Sequence, residues 1–515
     1  MIGLKGGIPE GQWSADLDDG RFLNPVMAGD YPDPTILKDG DRYYAAFSSF
    51  DYVPGLPIWM SRDLVNWTPT ATALQQPMGS VYAPELIKHD GRYFIYFPVL
   101  NYRIDPQHGV TLTPGKPLTA LYVVHAPTIE GPWSDPIDLR IDGAIDPGHA
   151  VGEDGRRYLF VNDGRRVRLT DDGLATDGEL ELVYSGWRYP ADWIVESYSL
   201  EGPKISERNG WYYMTSAVGG TAGPPTGHMV IVARSRSIHG PWEDCPHNPI
   251  LRTWDMDEPW WSKGHATLVE GPVGDWWIVY HAIRNGKRSQ GRQMLLEPLK
   301  WTAEGWPELE PCDLTQPMTK PSGGSVLSHG RALSGPLSPS TLGFTFPMFA
   351  PEIDPADRIR FEAEDMIVTA SGSSPADCNP LGAIAGDPHY EVTVELKLAG
   401  GATGGLILFY SRRAYCGLGS DGSIFLFPTT GPGMIIGGPE RALGNHFHLR
   451  LVNDRDVVSF YHSTNGANWK LYRSAEVAGL NHNVFNEFLA LRPALYAAGS
   501  GEVRFRNLTY RAIAV

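Results

Sequence analysis

Residues 90–99 read DGRYFIYFPV, an Asp-Gly turn signal followed by a run of aromatic and aliphatic residues. Asp-Gly favours a tight hairpin turn, and the run that follows suits a half- or fully buried strand. The same phrase occurs as DGDRYYAAFSS from Asp39, DGRRYLFVND from Asp154 and NGWYYMTSAV from Asn209, and more loosely as GDWWIVYHAI from Gly274. The copies start about 50–65 residues apart, a period that signals radial or solenoid repetition. Long amphipathic helical patterns are scarce, so the repeat predicts a five-bladed β-propeller in an all-β protein.

A second recurrence agrees with this. SRDLVNWTP from Ser61, APTIEGPWSDP from Ala126 and SRSIHGPWEDCP from Ser235 each carry a tryptophan after a turn. Trp67, Trp133 and Trp242 are expected to pack between blades. The segment PSGGSVLSHGRALSGPLSPS, residues 321–340, holds thirteen Pro, Gly or Ser in twenty and is expected to be a linker. Beyond it come long alternating strands: YEVTVELKL from Tyr390, GGLILFYS from Gly404, VVSFYHS from Val457 and GEVRFRNLTYRA from Gly501. Asn465-Gly466 supplies another hairpin signal. The expected organisation is a propeller over 1–320, a linker over 321–340 and a jelly-roll-like β-sandwich over 341–515.

Composition agrees and excludes several functions. The 515 residues include 58 Gly, 43 Pro, 16 Trp, 23 Tyr and 18 Phe. Turns and aromatics in such numbers fit many short strands. The net charge of −16 and pI of about 5.4 argue against nucleic-acid and anionic-membrane partners but suit a neutral substrate such as a sugar. The four cysteines, 245, 312, 378 and 416, form no CxxC pair, so free thiols in a reducing compartment are expected. The opening MIGLKGGIPEGQW has no apolar leader core, and no run of 18 apolar residues follows. The expected location is the cytoplasm. Self-association is left open.

The segment before each aromatic strand should be the innermost strand of its blade. These segments are YPDPTILKDG, YAPELIKHDG, IDPGHAVGEDG, LEGPKISERNG and GHATLVEGPVGD. Near the start of each, a polar residue stands beside Pro or Gly: Asp33, Glu85, Asp146, Glu201 and His265. Four carboxyls and a histidine would then converge on one axis. Buried carboxyls are costly unless paired or used. Carboxyl pairs in a sugar-sized pocket point to glycoside hydrolysis, one protonating the leaving oxygen and another activating water or attacking. A third can raise the acid's pKa by like-charge proximity. HExxH, P-loop and dinucleotide fingerprints are absent.

At this point the chain resembles glycoside hydrolase family 43. The resemblance rests on NPVMAGDYPDPTI from Asn24, VYAPEL from Val81, IDPGHA from Ile145, LEGPKI from Leu200, GHATLV from Gly264 and GRQMLLEPLKW from Gly291. It implies an inverting hydrolase with Asp33 as general base, Asp146 as orienting and pKa-modulating carboxylate and Glu201 as general acid. Glu85 has no catalytic counterpart, so the register of four carboxyls overcounts by one. His265 matches a central histidine beside which many members hold a calcium or other hydrated cation. Arg292 matches an arginine that reaches the carboxylates or the substrate, while Phe50 and Tyr82 match aromatics lining the sugar pocket. GGLILFYSRRAYCGLG, FYHSTNGANWKLY and GEVRFRNLTY resemble the C-terminal sandwich of the family's β-xylosidases. The implied activity is exo-acting release of xylose, or of arabinofuranose, from oligosaccharides such as xylan fragments. An α-L-arabinofuranosidase is the alternative within the class, and a non-catalytic carbohydrate-binding propeller the alternative outside it. The signature motifs of the retaining β-fructosidases are absent.

Overall fold

A computed structural model describes residues 12–513, except 106–108, 326, 331, 336, 340, 341 and 429–435. Five antiparallel sheets follow one another along the first part of the chain. Their inner strands are Thr35–Asp39, Glu85–His89, Gly148–Val151, Leu200–Arg208 and Trp260–Glu270. Each lies against the next, and the fifth returns to the first, so the sheets close as a five-bladed propeller. The segment before blade 1 ties the ring shut. Val26 N–H donates to the Met294 carbonyl of blade 5, and Asn24 exchanges two hydrogen bonds with the Leu296 backbone.

The repeated phrase explains each blade. Asp90-Gly91 and Asn209-Gly210 form two-residue hairpin loops with positive φ at both positions, the conformation these residues adopt most readily. In blade 1 the two-residue loop is Gly40-Asp41, one place later than the Asp-Gly pair suggests, because Asp39 still pairs with Arg42. The second strands are buried on both faces, and their alternation sends successive side chains to opposite neighbours. In blade 1, Tyr43 and Ala45 join Trp277 and Val279 of blade 5, whereas Tyr44 and Ala46 join Ile95 and Phe97 of blade 2. Blade 2 turns Phe94 and Tyr96 towards Leu159 and Val161 of blade 3, whose Tyr158 and Phe160 meet Tyr212 and Met214 of blade 4. Each such large side chain, once buried, contributes about 1.5–3 kcal/mol. Trp67 is wholly buried between blades 1 and 5, and Trp133 and Trp242 pack against the cores of blades 1–2 and 3–4.

The C-terminal strands form two facing sheets around one core. The 321–340 segment is more than a tether, since Leu333 and Leu337 are buried in that core and Gly335 N–H donates to Leu508. The eight-stranded sheet also recruits the propeller: Met348–Phe349 pairs with Tyr52–Val53, which projects from blade 1. Asn465 caps the turn between Val457–Ser463 and Lys470–Glu476 through its side-chain oxygen. All four cysteines are free thiols. No helix is long and apolar enough to cross a membrane among the described residues.

Candidate active site

The inner strands begin at one end of the axis, and there the chain departs from ordinary strand geometry. Asp33, Asp146 and His265 take φ of 57°, 56° and 48°, and Phe50 takes 50°. Such left-handed backbone is uncommon for residues other than glycine and concentrates at functional sites. Asp33 and Asp146 stand two residues before their inner strands start, whereas His265 lies within its strand, where the pairing register shifts. Glu201 reaches the axis differently. A bulge between Glu201 and Lys204 displaces the strand, and Gly202, at φ +60°, lets its N–H donate to Asp146 Oδ2 at 3.2 Å. A side chain on Gly202 would also meet the His265 ring at 3.0 Å.

His265 is the hub. Its Nδ1 lies 3.6 Å from Asp33 Oδ1, and its Nε2 lies 3.7 Å from Asp146 Oδ2 and 3.5 Å from Glu201 Oε1. Burial alone would push the imidazole towards neutrality, but Asp33, Glu201 and Asp146 raise its pKa to about 9. It is therefore an imidazolium at pH 7. Asp33 is buried, which by itself disfavours the anion. The Arg292 guanidinium at 2.7 Å, with His265 and His281, nevertheless holds its carboxyl well below the usual range. Ser48 Oγ donates to its other oxygen at 2.5 Å, and its own N–H donates to His281 Nδ1 at 3.1 Å. Asp33 is thus a fixed carboxylate. Asp146 goes the other way. Burial and the charges of Glu201 and Asp33 outweigh His265 and Lys204, lifting it to about 7. Glu201 is the more open partner, its side chain 19% exposed where a leaving group would approach.

Glu85 has another task. Its carboxylate accepts from Thr35 Oγ1 of blade 1, from His149 N–H of blade 3 and from Lys204 Nζ of blade 4, the last at 2.6 Å. Lys204 also donates to the carbonyls of Pro84 and Pro147. This buried ion pair joins four blades beneath the catalytic end.

The pocket wall is aromatic. Phe50 and Tyr82 meet edge to face at 5.2 Å, and Arg292 lies 5.7 Å from the Phe50 ring. Tyr82 shares a hydrogen bond with Tyr102, hydroxyl to hydroxyl at 3.0 Å. Phe488, from the sandwich, closes the same wall 5.7 Å from both Tyr82 and the Arg292 guanidinium. It follows the short helix His482–Phe485, whose Asn483 bonds to Arg288 and to the Ala222 carbonyl of the propeller. The structure therefore gathers all seven expected residues at one end of the axis. Sequence reading missed Ser48, Lys204, His228, His281 and Phe488. The first four stand within the repeated strands or beside them and carried a positional signal. Phe488 comes from the other sheet system and carried none.

Glu201, His228 and His265 could hold a cation, and with one carboxyl and two imidazoles they would leave most of the six to eight oxygen ligands of a calcium ion to water. His228 Nδ1 is bound to the Gly219 carbonyl, and its Nε2 is buried without a partner.

Comparison with known proteins places this geometry. The profile of glycosyl hydrolases family 43 matches residues 22–307. The non-reducing end α-L-arabinofuranosidase BoGH43B of Bacteroides ovatus is 34% identical over 316 residues, which are 58% of this chain and 56% of that protein. The xylan 1,3-β-xylosidase of a Vibrio species is 32% identical over 322 residues, 55% of this chain and 56% of that protein. The matches thus span little more than half the length of these curated relatives. Among solved structures, the family protein BlXynB of Bacillus licheniformis superposes with a TM-score of 0.82 at 24% identity, over 96% of this chain and all of that one. At that identity the likeness speaks for the fold.

Proposed function

The chain belongs to glycosyl hydrolases family 43, and from that premise we propose that it is an exo-acting, inverting glycosidase that releases xylose, or arabinofuranose, from the non-reducing ends of oligosaccharides. The observation that carries the reading is the set of three carboxyls around one imidazolium. They have different protonation tendencies: Asp33 is held ionised, while Asp146 is lifted to about 7. Carboxyl groups pushed apart in this way mark base and acid assignments.

In this mechanism Asp33 takes a proton from the attacking water. Glu201 gives one to the glycosidic oxygen, beside the Asp146 carboxyl, whose pKa is raised to about 7. His265 stands between Asp33 and Glu201, holding the base side and the acid side apart and balancing the charge. Arg292 orients Asp33 and faces the sugar with Phe50, Tyr82 and Phe488. The wall that Phe488 adds beside Tyr82 and Arg292 supports the exo reading. A non-catalytic lectin would have no need of carboxyls with opposed protonation, so the hydrolytic reading is preferred. The arabinofuranosidase and xylosidase relatives support both sugars as substrates. A panel of nitrophenyl β-xyloside and α-L-arabinofuranoside tests the proposal: release of nitrophenol from at least one is expected, and no turnover of either would refute it.

A further inference from the structure

The sandwich closes only part of the pocket rim. It meets blade 1 through Tyr52–Val53, blade 2 through Tyr82, blade 5 through Lys287 and Ser289, both bonded to Asp456, and blade 4 through Asn483 on the Ala222 carbonyl. Beyond that contact the rim over blade 4 and its junction with blade 5 is built by two propeller loops. Residues 185–199 lead into Leu200–Glu201. Residues 253–259 lead into Trp260, the start of the inner strand that carries His265. Both loops stand at the catalytic end.

These loops present a concentration of exposed apolar surface: Ile194 is 76% exposed, Trp254 63% and Met256 60%. Exposed apolar patches of this kind mark binding surfaces. The patch is also rigid. Trp193 and Trp254 meet edge to face at 5.6 Å, and the Arg252 guanidinium lies 3.5 Å over Trp193 and 5.2 Å from Trp254. Arg252, itself only 8% exposed, donates from Nε to the Thr226 carbonyl at 2.9 Å. The patch is joined to the site along the chain, since the first loop runs from Trp193 and Ile194 directly into Leu200–Glu201.

Exposed indole held in place by a buried guanidinium matches a sugar ring, which offers apolar C–H faces. Continuity with Glu201, the proposed acid, says which sugars: those on the leaving-group side of the scissile bond, departing over the part of the rim that the sandwich does not cover. We infer that Trp254 and Trp193, seated on buried Arg252, form a subsite for the sugar units beyond the scissile bond. The inference rests on the glycosidase reading and adds to it a preference for oligosaccharides over short glycosides.

The test compares xylotetraose with nitrophenyl β-xyloside. In Trp254→Ala the ratio of kcat/KM for xylotetraose to that for the nitrophenyl substrate should fall roughly tenfold, the loss expected for one well-placed aromatic contact. Trp254→Phe should restore most of it. An unchanged ratio would overturn the subsite, as would a change in oligomeric state by light scattering, which would mark the patch as a contact between copies of this chain. Titration calorimetry of xylotetraose into Glu201→Gln, with and without Trp254→Ala, reads the same contact without turnover. A wild-type protein that cleaves neither substrate would therefore refute the glycosidase reading, while equal affinities in the calorimetry would refute the subsite.

Discussion

Asp33 accepts from Arg292 and Ser48, its N–H donates to His281 Nδ1, and His265 Nδ1 lies 3.6 Å from its carboxylate. An asparagine there keeps the shape but cannot accept a proton from water. Asp33→Asn should lower kcat at least 10²–10⁴-fold, the range for loss of a general base, while the melting curve stays cooperative. More than a tenth of wild-type kcat would contradict the assignment. Asp146 tests the proton side. Its carboxyl is raised to about 7 by burial and by the charges of Glu201 and Asp33. Raising the pH through that value adds a negative charge beside the proposed acid, and kcat/KM should change on the alkaline side. Asp146→Asn removes that negative charge, so the remaining carboxyl loses its proton more easily and the alkaline limb should move to lower pH. A limb at the same pH in both proteins would mean that Asp146 only positions substrate.

At the scale of the strand, the repeated phrase was highly legible because its alternation serves two cores at once. Tyr43 and Tyr44 pack on different neighbours, so nearly every position in that strand must be apolar. The five axial residues could be aligned from sequence for the same reason: each precedes its aromatic strand by a similar distance. What the alignment could not give was the division of labour. Glu85 occupies the same kind of place as Asp33 and Asp146, but only the fold shows Lys204 reaching back to it across the axis at 2.6 Å. That pair is buried on both sides, so removing one partner should cost about 3–5 kcal/mol. Glu85→Ala should accordingly lose stability in urea melts. Lys204→Met added to it should cost much less than on its own, the non-additivity of groups in contact. Additive losses would show that the pair acts as two independent groups.

The whole molecule is a ring whose catalytic end is walled on one side by a second sheet system. The chain turns to strands of a different length and alternation after residue 340, and that change was readable. The manner of docking was not. Phe488, Asn483, Asp456 and Arg492 lie more than 160 residues from the propeller groups they touch, and no local pattern marks them. Arg492 pairs with buried Asp30 at 3.2 Å, close to the base. If Phe488 completes the sugar pocket, Phe488→Ala should lower kcat/KM by roughly tenfold, mainly through KM, as removal of a binding contact does. A loss confined to kcat would contradict that role. In the proposed mechanism Asp33 delivers water from one side of the sugar while Glu201 protonates the departing oxygen from the other. They come from blades 1 and 4, and His265 lies between them, 3.6 Å from one and 3.5 Å from the other. Inverting enzymes keep the two carboxyls about 6.5–9.5 Å apart to admit water, whereas retaining ones bring them to about 5–5.5 Å for direct attack. Proton NMR in the first minutes of β-xyloside hydrolysis, before the anomers equilibrate, reads the difference directly. The account predicts that α-xylose appears first; β-xylose first, or a sugar trapped covalently on either carboxyl, would contradict it.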